Sequence, residues 1–329
     1  MQCPPLSYLH SPEFLQITLH IISVLGFPVH IYGGYCILFK TPDQMKSVKK
    51  TMFNLHFWSS TMDLCLSFFT IPFILLPSMS GTSLGLLNFL GVSIPVQVYI
   101  VLTVIGMTGV AIVHIFENRY HKIIFETSSR KPYRLIFFSL NYALVLCFSI
   151  PTMLLLPDQE LAKSVLLDRF PCQFEPDRFF VVALDVRVTH FCTTATSIII
   201  EAQVAFFVAR LLIYLSVKDV QRSERTRNLQ KTLFLAICIQ VTVPIVLMVT
   251  PFLYVLLGIA FGYHNQALNN ISICAISVHG LLSTVVMLIV HKPYRDVTLQ
   301  LFNVPLSQIL SRSSGQTNPA PLYIMTTRK

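Results

Sequence analysis

Residues 95–116 read PVQVYIVLTVIGMTGVAIVHIF, and none of them is Lys, Arg, Asp or Glu. A helix of about 20 apolar residues is long enough to cross the hydrocarbon core of a bilayer. A helix also satisfies its own backbone N–H and C=O groups, which find no water inside a membrane. This stretch therefore predicts a transmembrane helix, and the polar residues that begin at Glu117 mark its end.

Six further apolar stretches of similar length lie on either side of it. They cover residues 15–39, 52–76, 135–156, 189–215, 232–261 and 271–290. The chain of 329 residues is 53% hydrophobic and 12% charged, which is typical of an integral membrane protein. We expect an all-α bundle of seven transmembrane helices at residues 15–290, preceded by a short segment at 1–14 and followed by a tail at 291–329.

The distribution of positive charge predicts how the bundle is oriented. Of the 24 Lys and Arg residues, 20 fall in the first, third and fifth connections, with their helix edges, and in the tail. The other four lie in one longer loop between the fourth and fifth stretches. Basic residues accumulate in cytoplasmic loops, so residues 1–14 are expected outside the cell and the tail inside it. Contact with anionic lipid then explains the net charge of +9 without a nucleic acid partner.

The tail begins with the pattern of an amphipathic helix. Tyr294, Val297, Leu301 and Phe302 recur near one face of a helix that would end before Pro305. A helix of this kind lies in the plane of the membrane with its apolar face toward lipid. We expect it on the inner leaflet, directly after the seventh span.

Two carboxylates stand inside predicted spans, Asp63 in the second and Glu201 in the fifth. A carboxylate in hydrocarbon is unfavourable by several kcal/mol, so each should face the bundle interior and find a partner. Asp63 is a candidate for a polar network, and Glu201 lies nearer mid-span, where it could reach a ligand cavity. A structural, hydrogen-bonded carboxyl is the alternative for both residues.

The third span ends in Glu117, Asn118, Arg119 and Tyr120. An arginine at such a boundary reaches toward water or turns inward to hold neighbouring helices. Glu117 is close enough along the chain to pair with Arg119, so the two are expected to form a charge latch.

Signatures of enzymes and metal sites are missing from the sequence. It has no HExxH motif, no glycine-rich phosphate loop and no zinc-spaced Cys and His set, so neither catalysis nor a cofactor is expected. Residues 271–290 contain no Lys, which leaves no retinal attachment point in the seventh span. Cys3 and Cys172 are the two cysteines in predicted outer segments, and a disulfide between them remains open.

The chain resembles nematode serpentine chemoreceptors of class H (Srh), within the Str-type group of seven-helix receptors. The segments that carry the resemblance keep their order over about residues 8–302. They are YLHSPEFL at 8–15, KTP at 40–42, LHFWS at 55–59 with Asp63, FENR at 116–119, IQ at 239–240 with Pro244, HG at 279–280 with Ser283 and Thr284, and HKPYR at 291–295.

The resemblance implies a G protein-coupled chemosensory receptor in the plasma membrane, with sensory-neuron cilia as the expected location. It implies two partners, a small odorant or soluble chemical and a heterotrimeric G protein. In contrast to rhodopsin-like receptors, the chain separates its acid and its arginine by Asn118 and lacks an NPxxY pattern in the seventh span.

The roles that this resemblance implies fall on particular residues. We expect the inner switch and the G protein contact to involve Glu117, Arg119, Tyr120, Arg222 and Arg225. Asp63 is assigned to the polar core. Glu201 and Gln240 are weaker candidates for the ligand cavity.

A ligand-gated channel or a small-molecule transporter is the alternative function. Seven-helix insect-type odorant channels place the amino terminus inside, opposite to the charge pattern here. A transporter built on duplicated halves should show internal repeats or broken helices, and the sequence indicates neither. A receptor-like structural or chaperoning subunit is a third possibility.

Overall fold

The computed structural model describes residues 7–124, 131–169, 179–216 and 224–303. Within these ranges the chain is mainly helical, with short 3₁₀ turns at Tyr8–His10 and Asp43–Met45. The α-helices are α1 Pro12–Phe39, α2 Lys46–Leu64, α3 Leu86–Phe89, α4 Ile94–Ile124, α5 Lys131–Cys147, α6 Ile150–Leu154, α7 Gln159–Arg169, α8 Arg187–Ser216, α9 Glu224–Phe261, α10 Gln266–Ser277, α11 His279–Val290 and α12 Lys292–Asn303.

Six helical segments of the described chain are long and apolar enough to cross a membrane. They are Pro12–Phe39, Ile94–Ile124, Pro132–Leu154, Arg187–Ser216, Gln230–Phe261 and Gln266–Val290. The seventh rod is α2 with its π-helical continuation, Cys65–Thr70. It is less apolar than the six because it carries four charged residues, Lys46, Lys49, Lys50 and Asp63, together with Asn54 and His56. The predicted all-α bundle, with an amphipathic helix after the seventh span, is confirmed.

Three predicted spans differ from the helices that form. The span predicted at 52–76 ends as a helix at Thr70, since Ile71 has a φ of 41° and Pro72 begins a strand. The span predicted at 135–156 divides into α5 and α6, and Pro151 lies in the first turn of α6. The span predicted at 271–290 is interrupted at Val278. The expectation of unbroken helices is therefore wrong.

A three-stranded antiparallel sheet lies at one end of the bundle, which we call the sheet end. It contains β1 Pro72–Leu75, β2 Ser80–Ser83 and β3 Phe180–Val181, with β2 in the centre. A Cβ atom at Gly81 would lie 2.6 Å from the carbonyl oxygen of Phe73, so this close crossing of β1 and β2 needs glycine. The sheet shares a small apolar core with the first turns of α1 and with α10.

The main apolar core lies toward the opposite end, which we call the Arg119 end. It joins α1, α2, α4, α8, α9, α11 and α12 through side chains such as Met52, Phe116, Leu211, Met287 and Tyr294. Lipid tails are as apolar as leucine, so close packing and polar contacts hold membrane helices together more than hydrophobic burial does.

Candidate functional site

Asp63 lies inside the bundle and caps the interrupted seventh helix. The backbone N–H of Gly280 donates to its Oδ1 at 3.1 Å, and the N–H of Leu281 donates to its Oδ2 at 2.7 Å. These amides belong to the first turn of α11, where N–H groups have no partner within the helix and the helix dipole is positive. The break at Val278 therefore creates a positive helix end in the bundle interior, and Asp63 occupies it.

Two imidazoles complete the surroundings of the Asp63 carboxylate. His279 Nδ1 lies 2.8 Å from Oδ1, and His30 Nε2 lies 3.3 Å from Oδ2. His30 Nδ1 in turn contacts the Ser60 hydroxyl at 3.0 Å, and His56 Nε2 donates to the His30 carbonyl at 2.9 Å. This set, the Asp63 cluster, connects α1, α2 and α11.

Small residues allow these helices to approach. A Cβ atom at Gly280 would lie 2.7 Å from the Ser59 carbonyl oxygen, and one at Gly33 would lie 2.4 Å from Thr284 Cγ2. Asp63 was expected in a polar network from the sequence, but its imidazole partners were not. A histidine in each of the first, second and seventh apolar stretches was the signal that could have found them.

The latch expected between Glu117 and Arg119 is not the pair that forms. Glu117 instead accepts two hydrogen bonds from Arg134 of α5, Nε to Oε1 and Nη2 to Oε2, both at 2.7 Å. This bidentate geometry uses the planar fork of the guanidinium. Glu117 and Arg119 are two residues apart on α4, and residues at that spacing do not face each other on a helix.

Arg119 is buried near the seventh helix without a carboxylate beside it. Only 6% of the residue is exposed, and within the described ranges its Nε and Nη2 atoms have no hydrogen-bond partner. Tyr120, next to it, packs its ring against Phe206 and Phe207 of α8. The guanidinium is thus a buried cation whose Nε and Nη2 groups have no hydrogen-bond acceptor among the described residues.

Gln240 was expected from the sequence to line the ligand cavity, but it forms a contact between two helices instead. It is buried, and its Oε1 lies 3.0 Å from Nε2 of His291, which connects α9 to the end of the seventh helix. Burial, and secondarily the charge of Arg119, lowers the pKa of His291 from 6.5 to about 4. His291 is therefore neutral at physiological pH, and Nε2–H donates to Gln240.

The amphipathic helix α12 is fastened to α1 at the Arg119 end. Tyr294 is fully buried, and its hydroxyl lies 2.8 Å from Thr41 Oγ1. One turn further, Tyr32 donates to Thr298 Oγ1 at 3.0 Å. The Asn118 side chain also donates to the Ser47 carbonyl at 3.0 Å, which joins α4 to the start of α2.

A cavity of about 510 Å³ lies between α4, α8, α9 and α10. Its walls are mostly aliphatic and aromatic, and Glu201 is among the lining residues. Volumes of about 300–1,000 Å³ with apolar walls and few polar groups are typical of small-molecule sites. Glu201 lines this cavity, but the residue is exposed and does not face the bundle interior as expected from the sequence. Its part in ligand binding stays a prediction.

Several residues named from the sequence cannot be placed in this geometry. Cys3, Cys172 and Arg222 lie outside the described residues, as does the tail beyond Asn303. Arg225 falls in the first turn of α9, but its side chain is not described.

Comparisons with known proteins identify relatives over nearly the whole chain. The family model "Serpentine type 7TM GPCR chemoreceptor Srh" matches residues 10–304. Serpentine receptor class H-72 of Caenorhabditis elegans is 30% identical over 313 residues, which cover 92% of this chain and 89% of the relative. Squid rhodopsin shares the fold at 14% identity with a TM-score of 0.53, covering 97% of this chain and 94% of that one. None of these similarities points to a channel or a transporter.

Proposed function

The chain belongs to the Srh family of serpentine seven-transmembrane chemoreceptors, and from this membership we propose that it binds a small external chemical and activates a heterotrimeric G protein. The sheet end faces the outside in this proposal and the Arg119 end faces the cytoplasm, as the positive charges favour. The receptor resides in the plasma membrane, with sensory-neuron cilia as its location. It acts by binding and switching rather than by catalysis.

The ligand occupies the cavity between α4, α8, α9 and α10. The lining runs along α4 from Leu102 to Ile112, and along α9 it includes Met248 and Phe252. A ligand shifts the equilibrium between two bundle conformations by the difference in its affinity for them. Because α9 contributes directly to the wall, its position depends on what fills the cavity.

The same helix reaches the Arg119 end through Gln240. Gln240 lies a few residues beyond the cavity on α9 and holds His291 at the end of the seventh helix. A movement of α9 therefore changes the contact between α9 and α11, beside Arg119. Arg119 is the switch residue of this proposal, Glu117 positions α5 through Arg134, and Tyr120, Arg222 and Arg225 contribute to the G protein surface.

The observation that carries the proposal is the buried guanidinium of Arg119 with unused donors. Such a group gains free energy when a conformational change offers it an acceptor, because a buried, unpaired donor is unfavourable by about 1–3 kcal/mol. Release of Arg119 toward the cytoplasm provides acceptors on the bound G protein.

Replacing Arg119 tests the coupling. Arg119→Ala is expected to reach the cell surface in normal amount and to abolish chemical-evoked dissociation of co-expressed G proteins. Wild type is first assayed with a panel of volatile and soluble chemicals to select an activating one. The matched control is Arg210→Ala, which removes an exposed cation from α8 and should retain the response. An unchanged response in Arg119→Ala at equal surface expression would remove Arg119 from the mechanism.

A further inference from the structure

The polar lining of the ligand cavity comes from one face of α8. Thr193, Thr196, Ser197 and Glu201 all line the cavity, and their spacing of three or four residues places them on one side of the helix. The walls supplied by α4, α9 and α10 are apolar, with residues such as Ile105, Met248 and Ile276. A ligand in this cavity therefore meets polar atoms on one side only.

Two of the three hydroxyls on that face already donate their protons in hydrogen bonds to backbone carbonyls of α8. Thr193 Oγ1 donates to the Thr189 carbonyl at 2.7 Å, and Ser197 Oγ donates to the Thr193 carbonyl at 2.9 Å. Their oxygens keep free lone pairs, so each can accept but not donate. Together with the Glu201 carboxylate, the α8 wall consists mainly of acceptors. Its best complement is a group rich in donors.

Glu201 adds an uncompensated negative charge to this wall. No described residue forms an ion pair or a hydrogen bond with its side chain. The residues that line the cavity include no Lys, Arg or His. Glu201 is exposed where it borders the cavity, so its carboxylate is accessible to a cationic occupant. A carboxylate within a membrane span is unfavourable without a partner, and an occupant of the cavity can supply the missing cation.

We propose that the ligand of this cavity is a lipophilic amine whose ammonium group pairs with Glu201. An ammonium carries three donors and no acceptor, which matches the acceptors of the α8 wall. Simple alkylamines are protonated at neutral pH, as the Lys side chain is with its pKa near 10.4. The hydrocarbon body fills the apolar part of the 510 Å³ cavity. This assignment rests on the proposed function only in taking the cavity as the ligand site.

A binding experiment on the purified full-length receptor tests the assignment. The probes are primary amines with linear bodies from propyl to decyl and with a phenylethyl body, each paired with the alcohol of the same skeleton. Affinity is read from the rise in unfolding temperature with probe concentration. We expect at least one amine to bind about tenfold to a hundredfold tighter than its alcohol, as for a hydrogen bond to a charged group.

Substitutions at Glu201 decide whether that preference arises here. Glu201→Gln should bring the amine down to the affinity of the alcohol, whereas Glu201→Asp should keep most of the preference. Glu13→Gln, at an exposed carboxylate of α1, is the matched control and should change nothing. The unfolding temperature without probe checks that each variant is folded. The proposal is overturned if no amine exceeds its alcohol, or if Glu201→Gln keeps the preference.

The outcome is separable from that of the coupling experiment. The binding measurement contains no G protein, so amine binding that depends on Glu201 stands even if coupling is absent. Conversely, a receptor that activates G proteins while showing no amine preference refutes only the assignment of the ligand class.

Discussion

At the scale of single residues, Asp63 shows how a membrane protein accommodates a buried charge. Its two oxygens face two backbone N–H groups and two imidazoles, and 3% of the residue is exposed. Removal of one member of a buried, paired group leaves the others without compensation, which is more unfavourable than absence of the whole set. Asp63 is therefore expected to be the most sensitive polar position of the bundle.

Asp63→Asn tests this expectation. The amide oxygen of Asn could still accept from one of the N–H groups of Gly280 and Leu281, but its NH2 would point a donor at the other, and the negative charge beside the two imidazoles would be lost. We therefore expect a loss of about 3 kcal/mol in the free energy of unfolding. Asp43→Asn is the control, because Asp43 pairs with Lys46 at 2.6 Å while its side chain is 85% exposed. Exposed pairs contribute about 0–1 kcal/mol. Titration of the purified receptor with denaturing detergent measures both variants, and equal small losses would contradict the assignment.

At the scale of elements, the seventh helix and α12 form one unit that several neighbours hold in place. Asp63 caps α11, and Gln240 contacts His291, the residue that follows α11. Thr41 contacts Tyr294 at the start of α12. Thr41 Oγ1 already donates to the Ile37 carbonyl, so Tyr294 is the donor in the contact between them. The start of α12 is thus held by a buried hydroxyl pair, in addition to the hydrogen bond from Tyr32 to Thr298 one turn further on.

A double-mutant cycle isolates this pair. Tyr294→Phe and Thr41→Val should each destabilise the receptor, with Thr41→Val the larger effect because it leaves a buried hydroxyl unpaired, at about 1–3 kcal/mol. The double mutant should lose less than the sum, with a coupling energy of about 1 kcal/mol. Tyr32→Phe combined with Thr41→Val is the control cycle and should be additive, since Tyr32 bonds Thr298. Additivity in both cycles would exclude the contact.

At the scale of the whole molecule, most basic residues of the described chain collect at the Arg119 end of the bundle. Lys40 follows α1, Lys49 lies in the first turns of α2, Lys122 lies in the last turn of α4, and Lys292 begins α12. The contacts from Asn118 to Ser47 and from Tyr294 to Thr41 bring these helix ends together. The charge pattern along the chain therefore becomes a positive surface at the Arg119 end, which favours a cytoplasmic position.

Epitope tags at the two chain ends test the orientation. We expect antibody to stain an amino-terminal tag on intact cells and a carboxyl-terminal tag only after permeabilisation. Replacement of Lys46, Lys49 and Lys50 by Gln should raise the fraction of inverted molecules, because it removes positive charge from the first connection. An amino-terminal tag visible only after permeabilisation would contradict the predicted orientation and the outer position of the ligand cavity.

Predictability from the sequence differs between the features of this receptor. Hydropathy and family motifs predicted the helix bundle, the amphipathic helix and the receptor family correctly. The prediction of unbroken helices was wrong at Val278, because Asp63 on another helix accepts hydrogen bonds from the N–H groups of Gly280 and Leu281. Glu201 lines a cavity, and its role in ligand binding stays a prediction, whereas Gln240 contacts His291 instead.

The sequence by itself determined the class of protein, the number of helical rods and the family, because hydropathy and motif order are properties of the chain read locally. The tertiary structure alone decided the partners of the charged residues. Glu117 pairs with a residue 17 positions away, and Asp63 binds amides more than 200 positions away. Such pairs form where helix rotation and close packing bring side chains together, and this depends on the whole bundle at once.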